Sequence, residues 1–414
     1  MWSGSGIRPI LATNRPSHIH PRSPVRTVYA PIERSSPQVL PSPKVDPLLS
    51  FRSCFPTLRD SLFFISHSLG AMPAAAAGSL AAYAATWQQR SIRAWEEGWW
   101  QMPLDTANLL APILGAAPGS IVMQPNVTVA QWIVLSAFDW RGRRNKLLTE
   151  SANFPTNLYT FHELERLGAR LVEAPAEEQL LDAIDEETQL VCVSHVHFRD
   201  SYKIDLAPIV EKAHANGAMV LADVYQSAGC VPIDVTALNL DFAAGGSVKW
   251  LCGGPGAGFL YVRPDLIGTL RPQLTGWMAH RSPFAFEEGP IEYADSIYRF
   301  LHGTPSIPAL YAARSGYELI AQAGVENIRA KSIALTNLLI ELAGEYSIPV
   351  RSPNNPEKRG GVVVLGVLDI TGQLARHNVL VDYRPGAGIR VGPHFYNTED
   401  EVVELVRRIN ALIS

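Results

Sequence analysis

From residue 75 onward, short apolar runs alternate with stretches that have helical periodicity. The runs include "LVCVSHV" (190 to 196), "AMVLADV" (218 to 224) and "GFLYV" (258 to 262). Strands that alternate with helices form parallel sheets covered on both faces, and such strands are almost continuously apolar. The pattern therefore predicts an α/β fold. The second run is apolar until Asp223, near its carboxyl end, which is where open α/β sheets bind their ligands.

The C-terminal part of the chain follows a different pattern. A long amphipathic helix is predicted over 326 to 346, followed by strand-like "GGVVVLGVL" (360 to 368) and "GIRVG" (388 to 392). The chain closes on a predicted helix over 398 to 413, where Thr398, Glu399 and Glu401 suit a helix start. Because 414 residues exceed what one compact core usually holds, we predict a small C-terminal domain over 326–414.

Residues 1–46 are rich in Pro, Ser and Arg and carry little apolar periodicity, so we predict a flexible arm there. Its acid-poor composition is typical of organellar targeting segments, although its proline content argues against the amphipathic helix that these form. A start site assigned too far upstream is an equally good explanation. Residues 47–75 are predicted to be a segment that packs on the small domain.

The composition excludes several classes of function. Hydrophobic residues make up 47% of the chain and charged residues 18%, with a formal net charge of −4, which favours a soluble enzyme over a disordered or nucleic-acid-binding protein. No run of about 18 apolar residues is present, and the alanine-rich stretch 71 to 87 is predicted to be a buried helix rather than a membrane span. The four cysteines are far apart, which predicts no disulfide, no metal site and a cytoplasmic setting.

One lysine, Lys249, stands between a run of small residues and the glycine-rich "GGPGAG" (253 to 258). An aspartate that ends a buried strand, such as Asp223, needs a cationic partner, and a protonated pyridine nitrogen would supply one. A buried lysine keeps part of its amine neutral and can form an imine with an aldehyde. Together the two residues predict a site for pyridoxal 5′-phosphate (PLP). Each alone has an ordinary alternative: a helix cap or salt-bridge partner for Asp223, and a solvated loop charge for Lys249.

Four segments resemble, in order, motifs of the class V aminotransferase superfamily, which includes kynureninases and cysteine desulfurases. They are "ADVYQSAGCVPIDV" (222 to 235), "DFAAGGSVKWLCGGPGAGFLYV" (241 to 262), "RFLHGTPSIPAL" (299 to 310) and "GIRVGPHFYNTEDEV" (388 to 402). The resemblance extends from "FISHSLGAMP" (64 to 73) to the C-terminus. It implies PLP-dependent transferase fold type I, with a mostly parallel seven-stranded sheet between helices in a large domain over 76–325 and a small α+β domain after it. It also implies a homodimer that acts on an amino acid.

The resemblance assigns roles to individual residues. Lys249 would form the Schiff base with PLP, Asp223 would face the pyridine nitrogen and Gln226 would contact the ring hydroxyl. The phosphate would be bound by the N–H groups of Val127 and Thr128 and by the Thr128 hydroxyl. Trp277 and Thr304 would also reach a phosphate, Thr304 across a dimer interface, and Phe154 would stack on the ring. Arg390 would pair with the substrate carboxylate, with Arg384 as a weaker second candidate. A helix cap at Asn126 or Thr128 and a core position for Phe154 are the alternatives.

The sequence departs from both groups of relatives. Kynureninases have a histidine where this chain has Gln226, a tyrosine where it has Val248 and an asparagine where it has Thr304, and residues 68 to 161 lack the histidine that kynureninases use ahead of the phosphate turn. Cysteine desulfurases of this superfamily need a cysteine before the C-terminal arginine, and no cysteine follows Cys252, which is predicted to be a buried small residue. We therefore predict a transaminase, with a kynureninase-like or other β-lyase, or an epimerase, as the alternative.

Other interpretations are less favoured. A catalytically silent binding protein with this fold is disfavoured because Lys249, Asp223 and Arg390 are all present. The "GGPGAG" stretch lacks the Walker lysine and does not open a helix, so no nucleotide site is predicted. His280 and His302 are candidates for the pocket wall and for assisting a leaving group, with structural roles as the alternative. His195 ends a predicted strand that faces the same region.

Overall fold

A seven-stranded sheet lies at the centre of residues 46–414, the part of the chain that the computed structural model describes. The strands in chain order are β1 (Leu62–Phe63), β2 (Ile121–Gln124), β3 (Lys146–Glu150), β4 (Arg170–Ala174), β5 (Thr188–Ser194), β6 (Met219–Asp223), β7 (Phe242–Gly246), β8 (Gly258–Val262), β9 (Val363–Leu365), β10 (Val379–Leu380), β11 (Asp382–Arg384) and β12 (Gly388–Val391). The order in the central sheet is β2-β8-β7-β6-β5-β3-β4, and only β8 runs antiparallel to its neighbours. The predicted α/β fold with a mostly parallel seven-stranded sheet is confirmed.

The central strands coincide with the predicted apolar runs because they are covered on both faces. Every residue of β7 and β8 is buried, and separate hydrophobic clusters occupy the two faces of the sheet, as the neighbours Ile121 and Val122 of β2 show. The register pairs Ser194 with Asp223 and Asp223 with Ala244, so that the carboxyl ends of β5, β6 and β7 meet at one edge. This edge therefore brings together residues that lie far apart in the sequence.

Helices connect these strands and cover the sheet. They are α1 (Ala74–Arg90), α2 (Met102–Leu114), α3 (Val127–Leu135), α4 (Pro155–Glu165), α5 (Glu177–Asp182), α6 (Leu206–Ala215), α7 (Pro264–Ile267), α8 (Ile307–Ala323), α9 (Val325–Glu345), α10 (Thr371–Ala375) and α11 (Glu399–Ile413). Short 3₁₀ helices cover Pro47–Cys54, Pro56–Arg59, Ser91–Ala94, Trp277–Ala279, Pro283–Ala285, Ile297–Phe300 and Pro356–Lys358, and one π-helical turn covers Trp95–Trp99.

The C-terminal elements build a core of their own. Strands β9, β11 and β12 form an antiparallel sheet that packs with α9 and α11. The predicted closing helix is confirmed as α11, which begins with a capping box between Thr398 and Glu401. Strand β1 pairs with β10, and Phe55 packs against Phe395. Residues 46–414 nevertheless form one compact unit, so the domain boundaries stay predictions, and the predicted arm lies outside the described residues apart from Asp46.

The alanine-rich helix α1 is not buried, and that prediction was wrong. Only Ala76 among its residues is buried, while Leu80 is 37% exposed and Trp87 is 61% exposed. Tyr83 stacks on Trp99 at a ring-centroid distance of 5.5 Å, so that one side of the helix is covered. Apolar composition does not guarantee burial, because each face of a helix needs a neighbour and this chain supplies one for a single face. Within residues 46–414 no helix combines the length and the apolar character that a membrane span requires.

Candidate active site

A cavity of about 200 Å³ opens where the carboxyl ends of the central strands meet the N-terminus of α3. Its lining residues are Val127, Phe154, Ser194, Val196, Phe198, Asp223, Tyr225, Gln226, Val248 and Lys249. The structure thus brings together five residues predicted for the site: Val127, Phe154, Asp223, Gln226 and Lys249. The aromatic side chains of Tyr225 and Phe198 also line the cavity, and the sequence analysis assigned them no role.

Lys249 lies in the turn that follows β7, with its side chain in the cavity. The turn is closed by a hydrogen bond from the Cys252 N–H to the Lys249 carbonyl (3.0 Å), and Gly70 packs so closely on that carbonyl that a Cβ would not fit. Burial lowers the pKa of Lys249 to about 7; the charge of Asp223 opposes this shift and that of Arg390 adds to it. A large share of the amine is therefore neutral, and nucleophilic, near neutral pH.

Asp223 ends β6 and presents its carboxylate to the same cavity. One carboxylate oxygen accepts a hydrogen bond from Asn157 Nδ2 (2.7 Å) and the other from the Tyr225 N–H (2.9 Å). Burial raises the pKa of Asp223, and the hydrogen bonds and the charge of Lys249 work against this shift. A cation placed in the cavity beside Asp223 would offset the cost of burying its charge.

A buried chain of hydrogen bonds continues from Asp223 into the protein. Asn157 Nδ2 also donates to Asn153 Oδ1 (2.7 Å), which accepts a second bond from Ser194 Oγ (2.9 Å). The N–H of Ser194 then donates to Glu150 Oε1 (2.9 Å). Glu150 has no cationic partner within residues 46–414, and burial raises its pKa to about 8. Glu150 is thus protonated at neutral pH; its position after the apolar run of β3 was the one sequence signal for it.

We expect the protein to become less stable at high pH, because the buried Glu150 must then lose its proton and carry a charge away from water. Its pKa in the folded chain, about 8, lies above the ordinary value of 4.5, so its stabilising contribution is complete below pH 4.5 and is lost as the pH rises through 8. The cost is on the order of 4 kcal/mol by pH 9. The melting temperature of Glu150→Gln, which mimics the protonated acid, should fall several degrees less between pH 6 and pH 9 than that of the wild type.

Exposed Glu178 provides the matched control, since Glu178→Gln removes an equivalent carboxylate in contact with water. Its melting curves should follow those of the wild type at every pH. If Glu150→Gln and the wild type lose stability in parallel between pH 6 and pH 9, Glu150 is ionised in the folded protein and our assignment of its protonation state is wrong.

The N-terminus of α3 points its first backbone N–H groups toward the cavity edge. Asn126 caps the helix by accepting a hydrogen bond from the Val129 N–H (3.0 Å), which confirms the capping alternative for Asn126. The N–H groups of Val127 and Thr128 have no hydrogen-bond partner within residues 46–414. Gly258 lets β8 lie close to the backbone of the cap residue Asn126, because a Cβ on residue 258 would lie 2.7 Å from that backbone. Free N–H groups and the helix dipole favour an anion such as a phosphate.

Arg390 lies beside the cavity, in a buried ion pair. Its Nε and Nη2 donate to the two carboxylate oxygens of Asp382 (2.8 and 2.5 Å), and Nη1 donates to the carbonyl of Phe198 (2.6 Å). His67 also contacts Asp382 (3.0 Å), and Arg384, with a side chain 43% exposed, lies 3.1 Å from it. Although burial opposes it, the bonds from His67 and Arg390 hold the pKa of Asp382 below its usual value. Sequence analysis assigned no role to Asp382 or to His67, because the two residues lie 315 positions apart and only the folded chain brings them together.

The other candidates lie outside the cavity within a single chain. Trp277 is 38% exposed and stacks on Phe286 (6.2 Å), and Thr304 is exposed. None of the three candidate histidines, His195, His280 and His302, lines the cavity, and burial lowers the pKa of His195 to about 3. Cys252 is buried as predicted, and burial raises the pKa of its thiol to about 12. None of these residues lines the cavity of its own chain, and the roles predicted for Trp277 and Thr304 stay predictions.

The cavity fits PLP on the chemistry of its own residues. It joins a buried lysine amine, a carboxylate that forms no salt bridge within residues 46–414, and an aromatic ring, Phe154, next to free N–H groups at a helix N-terminus. These are the groups by which PLP-dependent enzymes hold the aldehyde, the ring nitrogen, the ring face and the phosphate. The arrangement defines a PLP-dependent enzyme.

Comparison with known proteins agrees with this class. The family model "Aminotransferase class-V" matches residues 104–406. Kynureninase from Pseudomonas fluorescens is 32% identical over 390 residues, 89% of this chain and 93% of the relative. Kynureninase from Burkholderia pseudomallei (strain 1106a) is 32% identical over 368 residues, 84% of this chain and 88% of the relative. The chain belongs to the class V aminotransferase family, as its motifs predicted.

Solved structures with the same fold include two that act on sulfur amino acids according to their names. The apo cysteine desulfurase from Thermococcus onnurineus NA1 aligns with a TM-score of 0.77 at 21% identity, over 88% of this chain and 97% of that one. A complex of the cystine C–S lyase C-DES aligns with a TM-score of 0.78 at 22% identity, over 86% of this chain and 99% of that one. At this level of identity the two structures establish the fold alone.

Proposed function

We propose that the protein is a PLP-dependent β-lyase of the kynureninase type, which acts on an α-amino acid with an uncharged, aromatic side chain. The observation that carries the proposal is the composition of the cavity, in which Lys249 and Asp223 are the only charged lining residues among the described positions 46–414. Val127, Val196 and Val248 provide apolar walls, and Phe154 meets Phe198 edge to face at 5.0 Å. The two kynureninases at 32% identity, each matched over most of its length, support the same reaction class.

The cofactor would be held by Lys249 at its aldehyde, Asp223 at its ring nitrogen, Phe154 on its ring face and the N-terminus of α3 at its phosphate. When bound, PLP supplies an acceptor for the electrons of a bond broken at the amino acid Cα. Gln226 would contact the ring hydroxyl; its amide is held in the cavity wall because its Oε1 accepts from Trp250 Nε1 (3.2 Å) and its Nε2 donates to the His67 carbonyl (3.2 Å). One N–H of the Gln226 amide therefore stays free for a ligand.

Lys249 is the group that moves protons in this proposal. Its lowered pKa, about 7, matches an amine that takes a proton from the substrate near neutral pH and returns it later in the reaction. The hydrogen bonds that Asp223 accepts from Asn157 and from the backbone of Tyr225 leave its carboxylate fixed in direction. Its charge stabilises a protonated ring nitrogen, which keeps the electron acceptor effective.

Two arginines are available for the substrate carboxylate. Four hydrogen bonds occupy the guanidinium of Arg390, to Asp382 twice, to Ser68 Oγ and to the Phe198 carbonyl. Of the five N–H groups of an arginine, one on Nη1 is therefore left. Arg384, whose side chain is 43% exposed, supplies a second positive charge close by. The carboxylate would thus meet one fixed donor of Arg390 and the adaptable side chain of Arg384.

The experiment that tests the proposal counts turnovers without any keto acid. The PLP-loaded protein is mixed with excess L-kynurenine, and then with a panel of aromatic and aliphatic amino acids, while products are followed by mass spectrometry. A β-lyase forms alanine and an aromatic acid from kynurenine over many turnovers. If no compound of the panel yields a β-fragment while the PLP-loaded protein is intact, the lyase assignment is wrong.

Transamination is the second candidate, and two residues favour it. Gln226 and Val248 stand where kynureninases have a histidine and a tyrosine, and the structure places both in the cavity wall. A transaminase stops after one turnover per cofactor when no keto acid is supplied, because its cofactor leaves the first half-reaction in the amine form. Formation of one equivalent of keto acid, restored to continuous turnover by pyruvate, would select this candidate.

We also propose that the protein works as a homodimer. Apolar side chains lie exposed on α1 and around residue 280, among them Leu80, Trp87, Phe284 (59%) and Phe286 (71%). Trp277 and Thr304, which the family resemblance assigns to the phosphate, lie outside the cavity of their own chain. A second copy that covers these side chains would explain both observations, since large exposed apolar patches mark interfaces.

Light scattering should give a mass twice that of the 45.3 kDa chain. We expect Trp87→Glu to shift the protein toward monomer, because it places a charge in an apolar interface, and to release PLP from the monomeric fraction. Leu368→Glu is the matched control, since Leu368 is 81% exposed on the C-terminal part. A wild-type monomer that retains PLP would contradict the proposal.

A further inference from the structure

Two aromatic faces surround the amine of Lys249. The Nζ atom lies 4.3 Å from the ring centroid of Tyr225 and 5.8 Å from that of Phe154. Phe154 is the residue that the family resemblance assigns to one face of the cofactor ring. Tyr225 has no assigned role, although both rings line the cavity into which Lys249 projects.

The position of the Tyr225 ring is set by its surroundings. The backbone N–H of Tyr225 donates to the Asp223 carboxylate (2.9 Å), so that the ring-nitrogen partner and the Tyr225 backbone belong to one turn. The ring packs flush on Gly246 at the end of β7, where a Cβ would approach the phenol carbons and oxygen to 2.5–2.7 Å. Gly246 thus makes room for an aromatic ring next to the lysine turn.

The phenol of Tyr225 is not committed to the surrounding protein. Its hydroxyl has no hydrogen-bond partner within residues 46–414. Burial, followed by the charge of Asp223, raises the pKa of Tyr225 to about 12, so the phenol is neutral at physiological pH. A neutral ring that lines the cavity and has a fixed backbone suits stacking on a planar heteroaromatic ligand better than it suits an acid–base role.

We propose that Tyr225 forms the second wall of an aromatic clamp, which holds the pyridine ring of PLP between its own ring and that of Phe154. The proposal depends on the binding of PLP at Lys249 and not on the identity of the substrate. Stacking from both sides fixes the tilt of the cofactor ring relative to the Asp223 carboxylate. Phe198 packs edge to face on Phe154 at 5.0 Å and so supports the wall that Phe154 forms. The Phe198 carbonyl also accepts a hydrogen bond from Arg390.

The test measures binding of pyridoxine 5′-phosphate to the cofactor-free protein. This analogue carries an alcohol in place of the aldehyde and so binds without a covalent bond to Lys249, which isolates the ring and phosphate contacts. The quenching of tryptophan fluorescence reports its dissociation constant, and the visible circular dichroism of bound PLP reports the tilt of the ring. The variants are Tyr225→Ala and Tyr225→Phe, with Tyr159→Ala as the control, since Tyr159 is 71% exposed on α4.

We expect Tyr225→Ala to raise the dissociation constant about 3- to 10-fold, the range for one aromatic stacking contact, and to change the circular dichroism. Tyr225→Phe should restore both within about twofold, because it keeps the ring face. Wild-type affinity in Tyr225→Ala, measured below the melting temperatures of all variants, overturns the clamp. Equal losses in Tyr225→Phe and Tyr225→Ala also overturn it, since the hydroxyl would then be the contact. A wrong reaction class changes none of these binding constants, so the two proposals fail separately.

Discussion

Replacement of Lys249 by alanine is expected to abolish covalent capture of PLP and to reduce turnover at least about 10³-fold, because one change removes both the anchor of the cofactor and the proton-transferring amine. Borohydride reduction followed by mass spectrometry checks the first effect: the wild-type peptide with Lys249 gains the mass of the reduced cofactor and the variant peptide does not. The melting temperature should be preserved, because the amine is buried and carries a pKa lowered to about 7. Loss of activity would therefore reflect chemistry and not unfolding.

The same lysine predicts a pH dependence for the cofactor-free protein. The neutral amine is the nucleophile, and it is the minor form below its pKa and the major form above it. The rate of PLP capture should thus rise with pH around a midpoint near 7 rather than near the 10.5 of an ordinary lysine. Lys212→Ala serves as the control, since the Lys212 amine on α6 has no ionic partner within residues 46–414. For the turnover prediction, undiminished activity in Lys249→Ala would show that Lys249 is not the residue that binds PLP and transfers the proton.

The second large effect is expected at Asp223. Asp223→Asn keeps the size of the side chain and an oxygen that accepts from Asn157, but it removes the charge that stabilises a protonated ring nitrogen. We expect turnover to fall about 10²- to 10³-fold, while PLP stays bound through Lys249 and the phosphate contacts. Steady-state kinetics on fully loaded protein, with the bound PLP quantified after alkaline release, separates the two quantities.

A matched control for Asp223 is available in the same sheet. Asp241 is buried just before β7 and pairs with His214 (2.8 Å) and Arg263 (3.0 Å), far from the cavity lining. Asp241→Asn should lower the melting temperature, because it removes the buried charge that pairs with His214 and Arg263, and should leave turnover per bound PLP unchanged. If Asp223→Asn behaves like this control, Asp223 is a structural residue and does not face the ring nitrogen.

Predictions from the sequence succeeded where the physical cause is local. Strand β8 matches its apolar run residue for residue, because burial on both faces leaves room only for apolar side chains. The helix that begins after Thr398 was predicted from a capping box, which involves four consecutive residues. The pair of Asp223 and Lys249 was also predictable, since each follows a buried strand and the carboxyl ends of parallel strands share one edge.

The α/β class, the dependence on PLP and the family of the chain could all be predicted from its residues alone, and the same residues point to Lys249 and Asp223 as the groups that we propose to hold the cofactor. The packing of the chain sets which polar groups support the residues of the site, because the partners come from distant segments: Asn157 lies 66 positions from Asp223, and Ser68 lies 322 positions from Arg390. It also decided that α1 exposes apolar side chains and that Tyr225 faces the lysine amine. A side chain carries its chemistry in the sequence, but its neighbours, and with them its pKa and its contacts, are set by how the chain packs.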